Sequence, residues 1–406
     1  MKKLKYIVLV ADGMADYPLE ELGGKTPLET ARTTNMDFLA QQGRVGMTCF
    51  VPKGMTPGSD IANLSIFGYD PVKYFSGRGP LEALNIGIDL KDDEVAFRCN
   101  FITVENDKLV DYSAGHITTK EALVLIKTLN KTLGAEDVRF YAGVSYRHLM
   151  VVRGAVPEFL NIKCYPPHDI MGENIPKHLP KTATAENEKI IQLMGKSKNI
   201  LSEHEINLVR IDLKENPANM IWLWGQGKKV QMPTFRQRYG LEGSVISAVD
   251  LIKGIGIAAG LTPIAVPGVT GYYDTNYEGK AEYALEALKD KDFIFVHVEA
   301  PDEAGHNADT REKIKAIENF DRYVVGKILA EFKDRKDEVR ILVLPDHPTP
   351  ISLRTHTADP ICFVMFGAGI EPNGLDAFNE NLAQNSKYTI SAGHDLMESF
   401  LKKENI

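Results

Sequence analysis

The chain predicts an α/β protein in which a doubly wound, mostly parallel sheet is interrupted by an inserted α+β segment. Three observations carry that expectation. Apolar runs at residues 6–11, 293–298 and 341–345 lead into Asp12, Asp302 and Asp346, respectively. Runs of this length and composition read as strands buried on both faces, and parallel sheets gather their chemistry at the carboxyl ends of such strands. A strand-and-helix rhythm fills both ends of the chain, whereas the middle has a different texture.

Taken in order, residues 5–11 form the first strand, and a Gly/Pro turn region spans Gly23 to Pro27. A helix follows over Thr34 to Gln42, with Gly43 placed to close it as a C-cap. Loops rich in Gly, Pro and Ser occupy 52–60 and 76–87. Strands at 95–104 and 149–152 then mix with a helix that opens at a capping box, Thr118 and Glu121, and stops at Gly134. Five prolines between Pro157 and Pro180 mark a loop or boundary. A helix at 185–194 and a strand at 220–224 complete the middle section, and Gly225-Gln226-Gly227 reads as a turn or hinge after that strand. It lacks the third glycine of a dinucleotide fingerprint. From about Val245 the βαβ rhythm returns. Asp309 and Glu312 open a helix whose Ile314, Ile317, Phe320, Val324, Ile328 and Phe332 form an apolar stripe for the sheet. The expected organisation is one discontinuous domain, 1–87 with 237–406, carrying an inserted domain at 88–236.

The 406 residues are 25% charged and 44% apolar, ordinary for a globular protein, and the formal charge is -8. That balance argues against nonspecific nucleic-acid or anionic-membrane partners. No apolar run approaches the ~18 residues of a membrane span, and Asp12 cuts the first run too short for a signal peptide. Cys49, Cys99, Cys164 and Cys362 are scattered without metal or disulfide spacing, which fits reduced thiols and a cytoplasmic protein. Oligomeric state is not legible.

Asp302 and His306 lie four apart, so one helical turn presents both on one face. Asp346 and His347 are adjacent, and His356 follows nine residues later. With Asp12 these make six donors, and mixed carboxylate and imidazole suits Mn²⁺ or Zn²⁺ better than Mg²⁺ alone. His297 alternates with Phe295 and Glu299 along its strand and reads as a core residue. Ser59, in Pro57-Gly58-Ser59-Asp60, can project from a tight turn at a helix opening. It is a candidate nucleophile, although an N-cap serine would look the same.

These residues resemble a known family. Asp12-Gly13, Pro57-Gly58-Ser59-Asp60, 68–71 (Gly-Tyr-Asp-Pro), 77–82 (Gly-Arg-Gly-Pro-Leu-Glu), 96–100 (Ala-Phe-Arg-Cys-Asn), Asp302 to His306 and Asp346-His347 are together similar to the archaeal-type cofactor-independent phosphoglycerate mutases of the alkaline phosphatase superfamily. The resemblance implies an alkaline-phosphatase-like fold and interconversion of 3-phosphoglycerate and 2-phosphoglycerate through a transiently phosphorylated Ser59. It also implies two divalent cations, Mn²⁺ ahead of Zn²⁺. One would be held by Asp12, Ser59, Asp346 and His347, the other by Asp302, His306 and His356. The partner is then a small phosphorylated metabolite, and cationic groups should retain the glycerate. Arg78, Arg98, His116, Arg147, His148 and Lys253 are the candidates, with Arg236 and Arg238 behind them.

Three positions depart from the family pattern. Asn63 stands where histidine is frequent, Pro348 where serine is usual, and His116 where arginine is common. His116 and residues 144–148 resemble a bacterial subgroup proposed to act as homoserine kinases, so a phosphotransferase of that kind is the second reading. A phosphatase or phosphodiesterase on the same metal core and a metal-stabilised binding module are the others.

Overall fold

A computed structural model describes residues 3–402. The chain divides into two compact units, Met1–Phe75 with Met232–Ile406, and Ser76–Gln231.

The first unit is built on an eight-stranded sheet. Its strands are β1 (Lys5–Ala11), β2 (Arg44–Thr48), β8 (Gly243–Ile246), β9 (Thr262–Pro263), β10 (Phe293–Val298), β11 (Val339–Leu344), β12 (Ile361–Gly367) and β13 (Thr389–Ile390), and β3 to β7 belong to the second unit. The order across the sheet is β13-β2-β12-β11-β1-β10-β8-β9. β1 pairs in parallel with both β11 and β10, and β12 alone runs against its neighbours, so the sheet is mostly parallel.

Alternation of side chains along each strand feeds two separate cores. Ile7, Leu9 and Ala11 of β1 and Ile294, Val296 and Val298 of β10 pack under the helices Thr34–Gln42 and Tyr277–Ala287 and the segment from Thr310 to Phe332. The opposite face carries Tyr6, edge-on to Phe400 at 5.9 Å, Phe295, stacked on Phe67 at 4.1 Å, and Phe293, 4.6 Å from Phe235. Both faces are therefore covered, which is why these strands read as continuous apolar runs.

The helix at Thr34–Gln42 has the expected bounds, but Gly43 serves another purpose. Its φ is −138°, extended rather than left-handed, and a Cβ there would overlap the carbonyl of Met365 on β12. Glycine is required by the close passage of a strand. The long helix after Asp309 is capped as anticipated, Asp309 accepting from the Glu312 amide at 2.9 Å. It is interrupted by a π-helical turn at Phe320–Val325, which periodicity alone does not reveal. There Asp321 turns inward and accepts from the backbone amides of Asn35 and Met36, satisfying the start of the helix Thr34–Gln42.

The second unit holds a five-stranded antiparallel sheet of β3 (Glu94–Glu105), β4 (Lys108–Asp111), β5 (Val138–Tyr141), β6 (Arg147–Arg153) and β7 (Met220–Lys228). The capping box at Thr118 and Glu121 is present and opens the helix Thr119–Thr132. The helix beginning at Ala185 runs on to Ser202. This unit starts at Ser76, not at residue 88, because the helix Arg78–Asn85 lies on β3 and β7. It stops at Gln231, not 236, because Phe235 packs with Phe293 and Phe67 of the other unit's core.

The stretch from Gly225 to Gly227 is not a hinge: it continues β7. A Cβ at Gly227 would overlap the Ser76 carbonyl, and one at Gly77 would overlap that of Gln226, so the two backbones need glycine to pass each other. Among the described residues no helix is long and apolar enough to cross a membrane.

Two alanine substitutions separate the uses of glycine. Gly227→Ala should destabilise the chain by about 1–3 kcal/mol through overpacking against fixed backbone. Gly195→Ala, in an exposed helical position with open space around it, should stabilise by about 0.5–1 kcal/mol. Denaturant unfolding of both variants measures the difference, and equal effects would contradict it.

Candidate active site

Three neighbouring parallel strands, β11, β1 and β10, bring their carboxyl ends to one place. Asp346 follows β11, Asp12 follows β1, and Asp302 lies in the helix Ala300–His306 that follows β10. Asp12 and Asp346 are 1% exposed and Asp302 5%. Local backbone chemistry fixes the turns: the Asp12 amide donates to the Val298 carbonyl at 2.9 Å, and the Gly13 amide donates to Asp346 Oδ1 at 3.1 Å. Gly13 has φ +61°, and a Cβ on it would lie 2.7 Å from Asp302 Oδ1. Only glycine suits that turn.

Ser59 is the first residue of the helix Ser59–Ile66 rather than part of the preceding turn. Its Oγ lies 3.4 Å from Asp12 Oδ2, as a donor, and 3.3 Å from His347 Nε2. One turn later Asn63 donates to the Ser59 carbonyl at 2.9 Å and to Asp346 Oδ2 at 2.8 Å. The residue that departs from the family pattern thus braces both nucleophile and carboxylate. Pro348 forms β-bridges to Met14 and Ala15 and ties the loop after β11 to the loop after β1.

The imidazoles complete the cluster. His306 Nε2 is 3.3 Å from Asp302 Oδ2, His356 Nε2 is 3.4 Å from Asp302 Oδ1, and His347 Nε2 is 3.6 Å from both Asp12 Oδ1 and Asp346 Oδ2. All seven expected donors, Asp12, Ser59, Asp302, His306, Asp346, His347 and His356, therefore share one site. An eighth side chain, His297, joins them with Nε2 3.1 Å from Asp12 Oδ2. The sequence reading set it aside because alternation on a doubly buried strand cannot separate a core histidine from an inward-facing donor. The available signal was parity: His297 shares the face of Phe293 and Phe295, the face that Phe67, just past the helix Ser59–Ile66, covers.

Electrostatics set the donors apart. Burial, then the carboxylates of Asp346, Asp302 and Glu299, push the Asp12 carboxyl well above its usual range. Burial would also raise Asp302, but hydrogen bonds from His306 and His356, and their charge, outweigh it and hold Asp302 well below. His306 is lifted to about 9, the pull of Asp302 overcoming burial. Burial lowers His347, and brings His297 to about 4.

The donor set fits divalent cations. Two groups each bring three ligand atoms within 4.8 Å of one another: Asp302, His347 and His356, and Asp12, His297 and Asp346. Asp12 Oδ1 is buried without a hydrogen bond. His306 Nδ1 donates to the Arg354 carbonyl, 3.0 Å away, and Nε2 lies 2.9 Å from His356 Nε2. Two nitrogens that close call for a cation or a shared proton. Like charges 4–5 Å apart repel by roughly 3–4 kcal/mol at an effective dielectric near 20, and a divalent ion reverses the sign of that term.

Lys253 is paired with Asp250 on its own helix at 2.8 Å. Arg236 is engaged by Glu242 at 3.0 Å, and the Arg238 guanidinium lies 5.2 Å from the ring centroids of Tyr69 and Tyr239. The remaining candidates lie in the second unit. The Arg98 guanidinium lies 4.5 Å and that of Arg78 5.5 Å from the centroid of the Trp224 ring, and Arg98 Nε is 3.1 Å from Glu82. Burial, together with the charges of Arg78 and Arg147, lowers the Arg98 pKa, with Glu82 opposing. His148 is a core residue: it is 1% exposed, packs edge-on to Phe101 at 4.7 Å, and accepts from the Gly143 amide on Nδ1. Burial depresses it to about 3. His116 is exposed, in left-handed backbone, with its ring 6.2 Å from Tyr146.

Comparison with known proteins gives a consistent picture. Residues 40–207 match the family model described as 2,3-bisphosphoglycerate-independent phosphoglycerate mutase. A relative of that name from Methanosarcina acetivorans is 52% identical over 400 residues, covering 98% of this chain and 100% of the relative. Among solved structures, a Pyrococcus horikoshii protein has a TM-score of 0.83 at 30% identity, covering 100% of this chain and 99% of its own. The cofactor-independent phosphoglycerate mutase from Thermoplasma acidophilum has a TM-score of 0.65 at 25% identity, covering 99% of both chains.

Because Asp12 is buried beside other carboxylates that push it well above its usual range, divalent ions should stabilise the fold. Mn²⁺ at about 100 times its Kd is expected to add about 2.7 kcal/mol per site to the unfolding free energy, and a chelator should remove the gain. Thermal and denaturant unfolding with and without EDTA give the answer; identical curves would refute a metal site.

Proposed function

Since the chain belongs to the 2,3-bisphosphoglycerate-independent phosphoglycerate mutase family, we propose that it interconverts 3-phosphoglycerate and 2-phosphoglycerate through a phosphoserine at Ser59. The observation that carries this reading is the position of the Ser59 hydroxyl, within 3.4 Å of Asp12 and 3.3 Å of His347 at the centre of a buried donor cluster. A free serine hydroxyl is a weak nucleophile, and an adjacent base or a bound cation would favour its alkoxide.

Asp302, His306 and His356 would hold one cation, and Asp12, Ser59, Asp346 and His347 the other. Mn²⁺ suits this mixture of carboxylate and imidazole, with Zn²⁺ the alternative. When bound, such ions lower the pKa of the serine and neutralise charge on the transferring phosphoryl group. Ser59 Oγ forms a bond to phosphorus while the bond from phosphorus to the substrate's 3-oxygen breaks, and that oxygen takes up a proton. Glycerate is then retained, its 2-hydroxyl attacks the phosphoserine, and Ser59 is regenerated. No bisphosphoglycerate is consumed.

Retention needs cations that match a carboxylate. Arg78, Arg98 and Arg147 of the second unit are proposed for that purpose, since guanidinium forks bind carboxylates in bidentate fashion and two of them are already aligned over Trp224. The kinase reading has no comparable support. It rests on His116 and a local likeness at 144–148, whereas the Methanosarcina relative carries the mutase name along its whole length.

An enolase-coupled assay with 3-phosphoglycerate and Mn²⁺, free of bisphosphoglycerate, should show turnover that Ser59→Ala lowers by about 10⁴-fold or more. Mass spectrometry of the quenched wild-type enzyme should find phosphate on Ser59. Undiminished turnover by Ser59→Ala would reject the phosphoserine route, and ATP consumption dependent on homoserine would reject the mutase. Arg98→Lys should raise KM at least tenfold with a smaller change in kcat, because lysine keeps the charge but loses the fork. An unchanged KM would remove Arg98 from substrate binding.

A further inference from the structure

We propose that His297 is a direct metal ligand, a further donor to the cation assigned above to Asp12, Ser59, Asp346 and His347. This rests on the reading of the cluster as a metal centre and adds a donor to it. The ligand atoms of Asp12, His297 and Asp346 lie within 4.8 Å of one another, and all three residues are buried.

Only one nitrogen of the His297 ring has a hydrogen-bond partner. Nε2 is buried and makes no hydrogen bond, although it lies 3.1 Å from Asp12 Oδ2, and Asp12 Oδ1 likewise has no hydrogen-bond partner. Two unsatisfied buried polar atoms on adjoining side chains are rare and need an explanation. The other ring nitrogen, Nδ1, faces Ser247 Oγ at 3.4 Å. If the Nδ1 proton is directed at Ser247, Nε2 carries its lone pair toward a carboxylate oxygen. That contact is repulsive unless a cation lies between them, and the outer partner is the one ligating histidines ordinarily have.

The backbone around His297 is held from the other side. The wholly buried Lys280 donates to the His297 carbonyl at 2.6 Å, and β10 pairs His297 with Val10 of β1, two residues before Asp12. The imidazole is therefore delivered to Asp12 by sheet register rather than by a loop. The other donor group, Asp302, His306 and His356, has its own set of atoms and does not need His297.

Metal-depleted wild type, His297→Gln and His356→Gln should be reloaded with Mn²⁺, counted by elemental analysis after desalting, and titrated calorimetrically. Wild type should hold two ions. His297→Gln should weaken one of them by at least about tenfold and leave the other unchanged, whereas His356→Gln should weaken the other. His297→Cys loaded with Co²⁺ should acquire a thiolate-to-cobalt charge-transfer band that wild type lacks, a gain that misfolding cannot mimic. Two ions at wild-type affinity in His297→Gln, with no band in His297→Cys, would overturn the assignment and show that His297 only packs against Asp12. Failure of wild type itself to bind any divalent ion would instead overturn the metal centre.

Discussion

Like charge brought together at the ends of three parallel strands is the constraint on which the structure turns. Asp346, Asp12 and Asp302 come from strands that neighbour one another in the sheet, and each is almost wholly removed from water. Burial and mutual repulsion drive the Asp12 carboxyl upward, whereas Asp302 is held down by two imidazoles. A fold would not gather these groups for stability, because buried ionisable groups cost more than apolar ones of the same size. Bound cations would resolve the conflict, and they would also supply the polarisation that a serine nucleophile needs.

The scaffold keeps the donors from relaxing apart. Lys313, fully buried, forms an ion pair with Asp16 at 2.6 Å and donates to the Thr349 carbonyl at 2.9 Å, so one side chain pins the loops after β1 and β11. The Thr349 hydroxyl in turn bonds Asp302. The left-handed turn at Gly13 lets Asp302 approach the chain beside Asp12. Asn63 links the start of the Ser59 helix to Asp346. Each strand end is thus tied to another by contacts within the protein, which is what preorganised sites require.

Much of this was readable in advance, for a physical reason. Strands buried on both faces appear as apolar runs, so Asp12 and Asp346 announce themselves as the first charges after them, and Asp302 follows its run within four residues. The helix Thr34–Gln42 and the capping box at Thr118 and Glu121 follow from local chemistry and match in place. What was missed depends on neighbours distant in sequence. Gly43 and Gly227 look like a cap and a hinge, but each answers to the backbone of another segment passing within contact. His297 looks like core because its strand is core, and only the sheet's register shows that it faces Asp12. His148 looks like a ligand-binding histidine beside Arg147, yet in a β-strand adjacent side chains point opposite ways, and its own direction is inward. The π turn that lets Asp321 cap another helix leaves no mark on the apolar stripe.

Two cations seated over Ser59 are the central claim, and anomalous diffraction at the manganese edge from manganese-loaded crystals measures it most directly. Two peaks are expected, one about 2 Å from the ligand atoms of Asp302 and His356 and the other at similar distance from Asp12 and Asp346. A single peak elsewhere, or none, would contradict it.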